Sequence, residues 1–287
     1  MIGLIAHYLE VGGHWAEIRG WIGRLVAKVG ESADPGWRAE ASLHAALAEH
    51  YCGDYDAARS SAARGVALFR ELGDKSRLAE MLEAFGTILQ EEGDFAAARP
   101  FFEESLDIYR DLKDSLGVAW SSAHLGLTVC VLGDLGLGHA CLEESLEISR
   151  KGKWKFVNSR SAYHLGELLR HEGNIAQARP LYKEAVACTK VGADWALVYA
   201  IDAFAKLAVA GRLFVRAAKL FGANEHLYAM FETVRYPSMQ SEYDGAVANL
   251  RAALSQEEFA NAWAEGRAMT LEQAAAYALE DLDSPPA

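Results

Sequence analysis

Basic residues, proline and cysteine are all in short supply in this chain, and each shortage narrows what it can be. Lys and Arg number 28 against 40 Asp and Glu, for a formal net charge of −12. A chain of that sign repels a phosphate backbone, which argues against direct nucleic-acid binding. Only 6 prolines occur in 287 residues, so long helices can run uninterrupted. No apolar run approaches the roughly 20 residues that a bilayer-spanning helix needs. The four cysteines, Cys52, Cys130, Cys141 and Cys188, are scattered without a CxxC pair. That pattern fits small buried hydrophobes in a reducing cytoplasm, the expected location. No GxxxxGK[ST] is present, so no phosphate cradle can be assigned. The opening MIGLIAHYLEVGGHW has neither a basic n-region nor a small-residue cleavage site and does not read as a secretory signal.

What the chain has instead is a period. Gly53-Asp54, Gly93-Asp94, Gly133-Asp134 and Gly173-Asn174 recur every 40 residues. A second marker at the same interval lies between them: Gly73-Asp74, Lys113-Asp114, Lys153-Trp154 and Ala193-Asp194. Between markers the apolar residues fall at helical spacing, as with Leu78, Met81, Leu82, Phe85 and Leu89. Two interleaved turns sharing one period describe stacked helical hairpins, each too small to bury both faces alone. The expected hairpins span about 1–30, 35–72, 75–112, 115–152, 155–192 and 194–232. After Arg235-Tyr236-Pro237 the repeat breaks, and 233–283 is expected to be a three-helix cap, with a capping box at Ser255–Glu258 and a disordered tail at 284–287.

Within the repeats, Phe85-Gly86, Leu125-Gly126 and Leu165-Gly166 share one register. A small residue recurs on the second helix at Ala58, Ala98, Gly138 and Ala178, followed four residues later by Phe102, Leu142 and Tyr182, but by Ala62 in the first copy. This pattern resembles tetratricopeptide repeats, with helices about one turn longer than the standard unit. The resemblance implies an all-α, tetratricopeptide-like superhelical solenoid of about six hairpins with a C-terminal helical cap. A glycine inside a helix costs about 1 kcal/mol relative to alanine, so three at one register imply a close helix approach that offsets the loss. A second resemblance lies in the tail. The segments RAAKLFGANEHLYA (216–229), SEYDGAVANLRAAL (241–254) and EEFANAWAEGRAMTLEQAAAYAL (257–279) look like the C-terminal end of bacterial STAND-class, LuxR-like ATPase regulators. That implies the sensor portion of a transcriptional regulator whose P-loop ATPase domain precedes the repeats; a stand-alone scaffold or adaptor is the alternative.

In tetratricopeptide arrays the first (A) helix of each hairpin lines the concave face. By register, the candidate groove residues are Glu80, Glu83, Trp120, His124, Leu127, Arg160, Tyr163, His164, Glu167 and Arg170. They suit recognition of a protein, peptide or small effector, with no cofactor. Trp120 either anchors such a ligand or packs between neighbouring A helices. His44, His124 and His164 form a column interrupted by Ala84. Adjacent repeats place such residues roughly 10 Å apart, too far for shared zinc ligation. The run Arg150-Lys-Gly-Lys-Trp-Lys155 reads as solvated charge on a turn. The pairs Glu91-Glu92, Glu103-Glu104 and Glu143-Glu144 diverge on their helices and form no paired-carboxylate site. No catalytic arrangement emerges, and the expectation is a binding module rather than an enzyme.

Overall fold

The computed structural model describes residues 17, 19–24, 34–189, 196–230, 235 and 237–280. Most of the hairpin expected at 1–30, and the tail at 284–287, lie outside the described residues. The chain divides into two compact units, Met1–Ile148 and Ser149–Ala287. In the first unit α1 (Pro35–Tyr51), α2 (Tyr55–Leu72), α3 (Lys75–Glu91), α4 (Phe95–Leu112) and α5 (Ser115–Val131) follow one another, and α6 (Leu135–Gly152) runs to its end and just beyond. The second holds α7 (Lys155–His171), α8 (Ile175–Thr189), α9 (Ala196–Ala210), α10 (Phe214–Met230), α11 (Pro237–Ala253), α12 (Gln256–Arg267) and α13 (Leu271–Leu279). No strand occurs among the described residues, and no described helix is long and apolar enough to cross a membrane.

The Gly-Asp markers are helix stops joined to helix starts. Gly53, Gly93, Gly133 and Gly173 sit at φ of 78°, 94°, 95° and 83°, the left-handed region that a Cβ disfavours. Where the next residue is Asp it caps the following helix: Asp94 accepts from the Ala97 N–H at 3.2 Å, and Asp134 from Leu137 at 3.1 Å. At the second marker Gly73 adopts φ 70°, whereas Lys113 and Lys153 take φ 58° without being glycine. Asp74 and Asp114 still cap, but Trp154 makes no side-chain cap hydrogen bond.

In the first unit each A helix (α1, α3, α5) packs against its own B helix, α2 packs on α3 and α4 on α5, and α1 also meets α3, as α3 meets α5. The glycines of the Leu-Gly register set the closest approach. A Cβ on Gly86 would stand 2.7 Å from the Phe102 ring, and one on Gly126 2.7 Å from Leu142 Cγ. In the second unit Gly166 stands in the same relation to Tyr182, at 2.5 Å. Phe102, Leu142 and Tyr182 are all essentially inaccessible to solvent. The large residue of the B helix therefore fills the space the glycine vacates.

The B helices carry their own period. Arg70 donates to Glu104 at 2.5 Å and Arg110 to Glu144 at 2.9 Å; in the second unit Arg150 reaches Glu184 at 2.5 Å. Arg150, from the basic run, thus bridges B helices while its side chain stays half exposed. These exposed pairs contribute little individually, up to about 1 kcal/mol, but they recur with the repeat.

At the C-terminal end α12 packs on α10 backbone to backbone. A Cβ on Gly222 would meet the Trp263 carbonyl, and one on Gly266 the Lys219 carbonyl. The expected capping box forms at Ser255, whose N–H donates to the Glu258 carboxylate at 2.9 Å. A second forms at Thr270 with Gln273.

Alanine at Gly86 or Gly266 should therefore lower stability by about 1–3 kcal/mol, the usual cost of overpacking, although alanine favours helix by about 1 kcal/mol. Chemical denaturation followed by circular dichroism measures this; a rise in midpoint for either variant contradicts the close-approach account.

Candidate functional site

In the first unit the A-helix residues form a chain of polar contacts. Arg77 clasps Glu40 through Nε at 2.7 Å and Nη2 at 2.5 Å, and its Nη1 donates to Glu80. Two carboxylates, Glu40 and Glu80, thus share one guanidinium. Glu83 accepts from the Trp120 indole N–H and, at 3.3 Å, from the Thr87 hydroxyl. Trp120 is half-buried and its ring lies 5.4 Å from that of His124. Through Glu83 its indole reaches the neighbouring A helix, with part of the ring still accessible. Glu80, Glu83 and Leu127 are likewise half-buried.

His124 is fully buried, which corrects its placement as a groove-lining side chain. Its ring stacks on Phe102 at 5.1 Å, and Gln90 reaches across from α3 to hold it. The Gln90 amide nitrogen donates to the His124 carbonyl at 2.9 Å and to Thr128 Oγ1 at 2.6 Å, leaving Oε1 2.8 Å from His124 Nδ1. With the amide assigned this way round, Nδ1 must carry the proton. Nε2 then lies 3.6 Å from the Glu83 carboxylate. A buried polar position needs partners, and this repeat supplies them through Gln90 and Thr128. His50 makes a comparable buried contact one repeat earlier, donating from Nε2 to Glu91.

The second unit gathers a denser set of charges. Arg170 donates to both oxygens of Glu167, each at 3.0 Å, and to Glu242 of α11 at 2.7 Å. Lys206 on α9 lies 2.8 Å from Asp202, 2.7 Å from Glu242 and 3.4 Å from Glu167. Arg235 closes the set at 3.1 Å from Asp202, its guanidinium over the rings of Tyr243 and Tyr228 at 3.7 and 4.6 Å. Tyr182 donates its hydroxyl to Glu167 at 2.5 Å. Burial alone would raise the Glu167 carboxyl, but Lys206, Arg170 and Tyr182 together bring it down to about 2. Burial would likewise discharge Lys206; Asp202 and its other anionic neighbours hold it charged, well above the ordinary lysine range.

Tyr163 and His164 are also buried, so neither lines an open surface as the register had placed them. Tyr163 packs among Tyr199 at 5.7 Å and Tyr182 at 6.4 Å. Burial, aided by Arg160, pushes the His164 imidazole down to about 3, with Glu167 opposing, so it is neutral at physiological pH. Arg160 and Arg170 are half-buried. Glu167, His171 and Glu242 bring possible ligand atoms within 4.8 Å of one another. Arg170 and Lys206 already lie on those carboxylates, so a metal ion entering there would have to displace two cations; the arrangement is an ion-pair network.

Sequence reasoning missed Gln90 as a partner of His124, and missed Asp202, Lys206, Arg235 and Glu242 altogether. The first was visible as a polar residue in the concave register of α3, four residues after the buried-face glycine Gly86. The others lie where the 40-residue register fails.

Residues 37–111 and 77–151 each match a tetratricopeptide repeat family model. No curated protein sequence matches the chain. The solved structure of RapI in its apo form is similar over 90% of this chain and 96% of that one, at 14% identity and a TM-score of 0.61. A Rap protein complexed with competence and sporulation factor is similar over 91% of this chain and 74% of that one, at 14% identity and a TM-score of 0.62. BtubC (BKLC) from P. vanneervenii covers 65% of this chain and 78% of its own, at 17% identity and a TM-score of 0.54. The likeness is one of fold: all-α, built of tetratricopeptide-like hairpins.

Acid should weaken the second unit over two pH ranges. His164 refuses a proton down to about 3, whereas the unfolded chain accepts one near 6.5, so stability falls as pH drops between those values. Glu167, lowered from 4.5 to about 2, contributes stability above 4.5 that disappears as pH falls through about 2. Melting temperature measured against pH should therefore decline below 6.5, and His164→Phe should flatten the part between 6.5 and 4.5. An unchanged slope in that variant contradicts the assignment.

Proposed function

We propose that this chain is a non-catalytic recognition module whose A-helix faces bind a protein, peptide or small effector, and that it forms the sensor portion of a STAND-type ATPase transcriptional regulator. The observation that carries the reading is the Glu83–Trp120 pair of the first unit. It puts a half-buried indole beside carboxylates on helices that repeat packing holds rigid. A preorganised aromatic and charged surface loses little freedom on binding, which is how anchor residues act. Glu40 and Glu80 share the single Arg77 guanidinium, and that surplus of negative charge favours a ligand with a positive group there. A structurally similar Rap protein is complexed with competence and sporulation factor, so a chain of this fold has the shape to hold a signalling ligand.

The regulator context draws on residues 257–279, whose AWAEGRAMTLEQA sequence resembles the STAND-class tail. Here that tail builds α12 and α13, and its Gly266 makes the contact with α10. In such a regulator, occupancy would bias the P-loop ATPase domain only if the ligand prefers one of its two states.

The test is a peptide array of mixed charge probed with the parent chain and with Trp120→Ala. The variant should lose the bound peptides, weakening them about tenfold or more, or about 1.4 kcal/mol, while keeping parental helicity. Undiminished binding would place the recognition surface elsewhere. Sequencing the locus upstream of Met1 separates the two contexts. An in-frame GxxxxGK[ST] supports the regulator, and an isolated reading frame supports the stand-alone scaffold.

A further inference from the structure

The charge cluster of the second unit is held unevenly. Glu167 and Arg170 stand on α7, and Asp202 and Lys206 on α9, all helices of the repeats. Glu242 alone comes from cap helix α11. Its side chain is 41% exposed, against 12% for Glu167 and 1% for Asp202. Lys206, by contrast, is more than nine-tenths buried. Glu242 is therefore the member with a path to solvent, and among the described residues the ion pairs broken by turning its side chain outward are those to Arg170 and Lys206.

The charge count shows what such a turn leaves behind. Among the described residues, with Glu242 in place, Arg170, Lys206 and Arg235 balance Glu167, Asp202 and Glu242, three against three. Without it, three cations face two carboxylates. Arg170 keeps both oxygens of Glu167, and Lys206 keeps Asp202 at 2.8 Å, so the site persists with one positive charge uncompensated. An unpaired charge in buried surroundings is strongly unfavourable. A carboxylate arriving from solvent removes that penalty as Glu242 does, through a charge-assisted hydrogen bond from Arg170 and an ion pair with Lys206. The rest of α11 need not leave. Tyr243 packs on Phe221 at 5.5 Å and under Arg235, and Leu250 is fully buried, so the helix stays anchored while one side chain swings.

We propose that Arg170 and Lys206 form a carboxylate-binding site that Glu242 occupies in cis, and that an acidic peptide is its exchangeable ligand. The carboxylate is either an Asp or Glu side chain or a free C-terminus. Glu242 acts as a built-in competitor, which sets a threshold on the acidic ligand rather than excluding it. The proposal goes beyond the Trp120 face of the first unit, and either can fail while the other holds.

The experiment uses fluorescence anisotropy with two labelled probes: a glutamate-rich peptide amidated at its C-terminus, and a glutamine-rich peptide with a free C-terminal carboxylate. They are titrated into the parent chain, Glu242→Gln, and the Arg170→Gln/Glu242→Gln double variant, each checked for helicity. Glu242→Gln should bind at least one probe about tenfold more tightly than the parent, and the double variant should lose that gain. Preference for the first probe identifies side-chain carboxylates as the ligand; preference for the second identifies the C-terminus. Should Glu242→Gln lose helicity, Glu242→Asp, which withdraws the carboxylate from Arg170, gives the same comparison. Equal affinity of parent and variant, no binding of either probe to the folded variant, or full binding by the double variant would overturn the proposal.

Discussion

The absence of a side chain at Gly86, Gly126 and Gly166 is the constraint on which the repeats depend. At each position the A helix approaches its B helix so closely that a methyl group would collide with Phe102, Leu142 or Tyr182. The helix accepts the intrinsic cost of glycine, and the large residue opposite it becomes completely buried. Because the contact lies well inside both helices, it sets their crossing, while the left-handed residue at each turn, followed by a capping aspartate at most of them, sets where one helix ends and the next begins. The Arg–Glu bridges at the same period then link successive B helices on the outside.

With the hairpin geometry fixed by a few small and large residues, the remaining A-helix positions are free to differ between repeats. The two units use that freedom in opposite ways. The first presents carboxylates beside a tryptophan, with His124 locked beneath them by Gln90 and Thr128. The second collects three cations and three anions into a cluster that reaches the cap helix through Glu242. One unit offers excess negative charge at its surface. The other conceals cations behind a carboxylate of its own chain.

Much of this was legible in the sequence because the repeat is. The Gly-Asp markers predicted turns, and the left-handed φ values with Asp caps are their physical content. The Leu-Gly register predicted a close approach, and the colliding Cβ positions confirm its cause. The Arg70/Arg110/Arg150 and Glu104/Glu144/Glu184 series has the same period and was equally readable. Burial of His124, Tyr163 and His164 was not, because register tells which helix a residue occupies but not how deeply neighbouring A helices enclose it. The Lys206 cluster was hidden for a different reason. Gly211 follows Gly173 by 38 residues rather than 40, so α9 slips out of register, and Glu242 belongs to a segment with no repeat to align it.

The chain occupies a cation pair on its own A helices with a carboxylate lent by its cap. Hydrogen–deuterium exchange of the parent chain, with and without a saturating glutamate-rich or free-carboxylate peptide, tests this most directly. Exchange should slow in α7 around Arg170 on adding the peptide, while α11 keeps its protection because only the Glu242 side chain turns away. Unchanged exchange in α7 on saturation, or opening of α11, would contradict this arrangement.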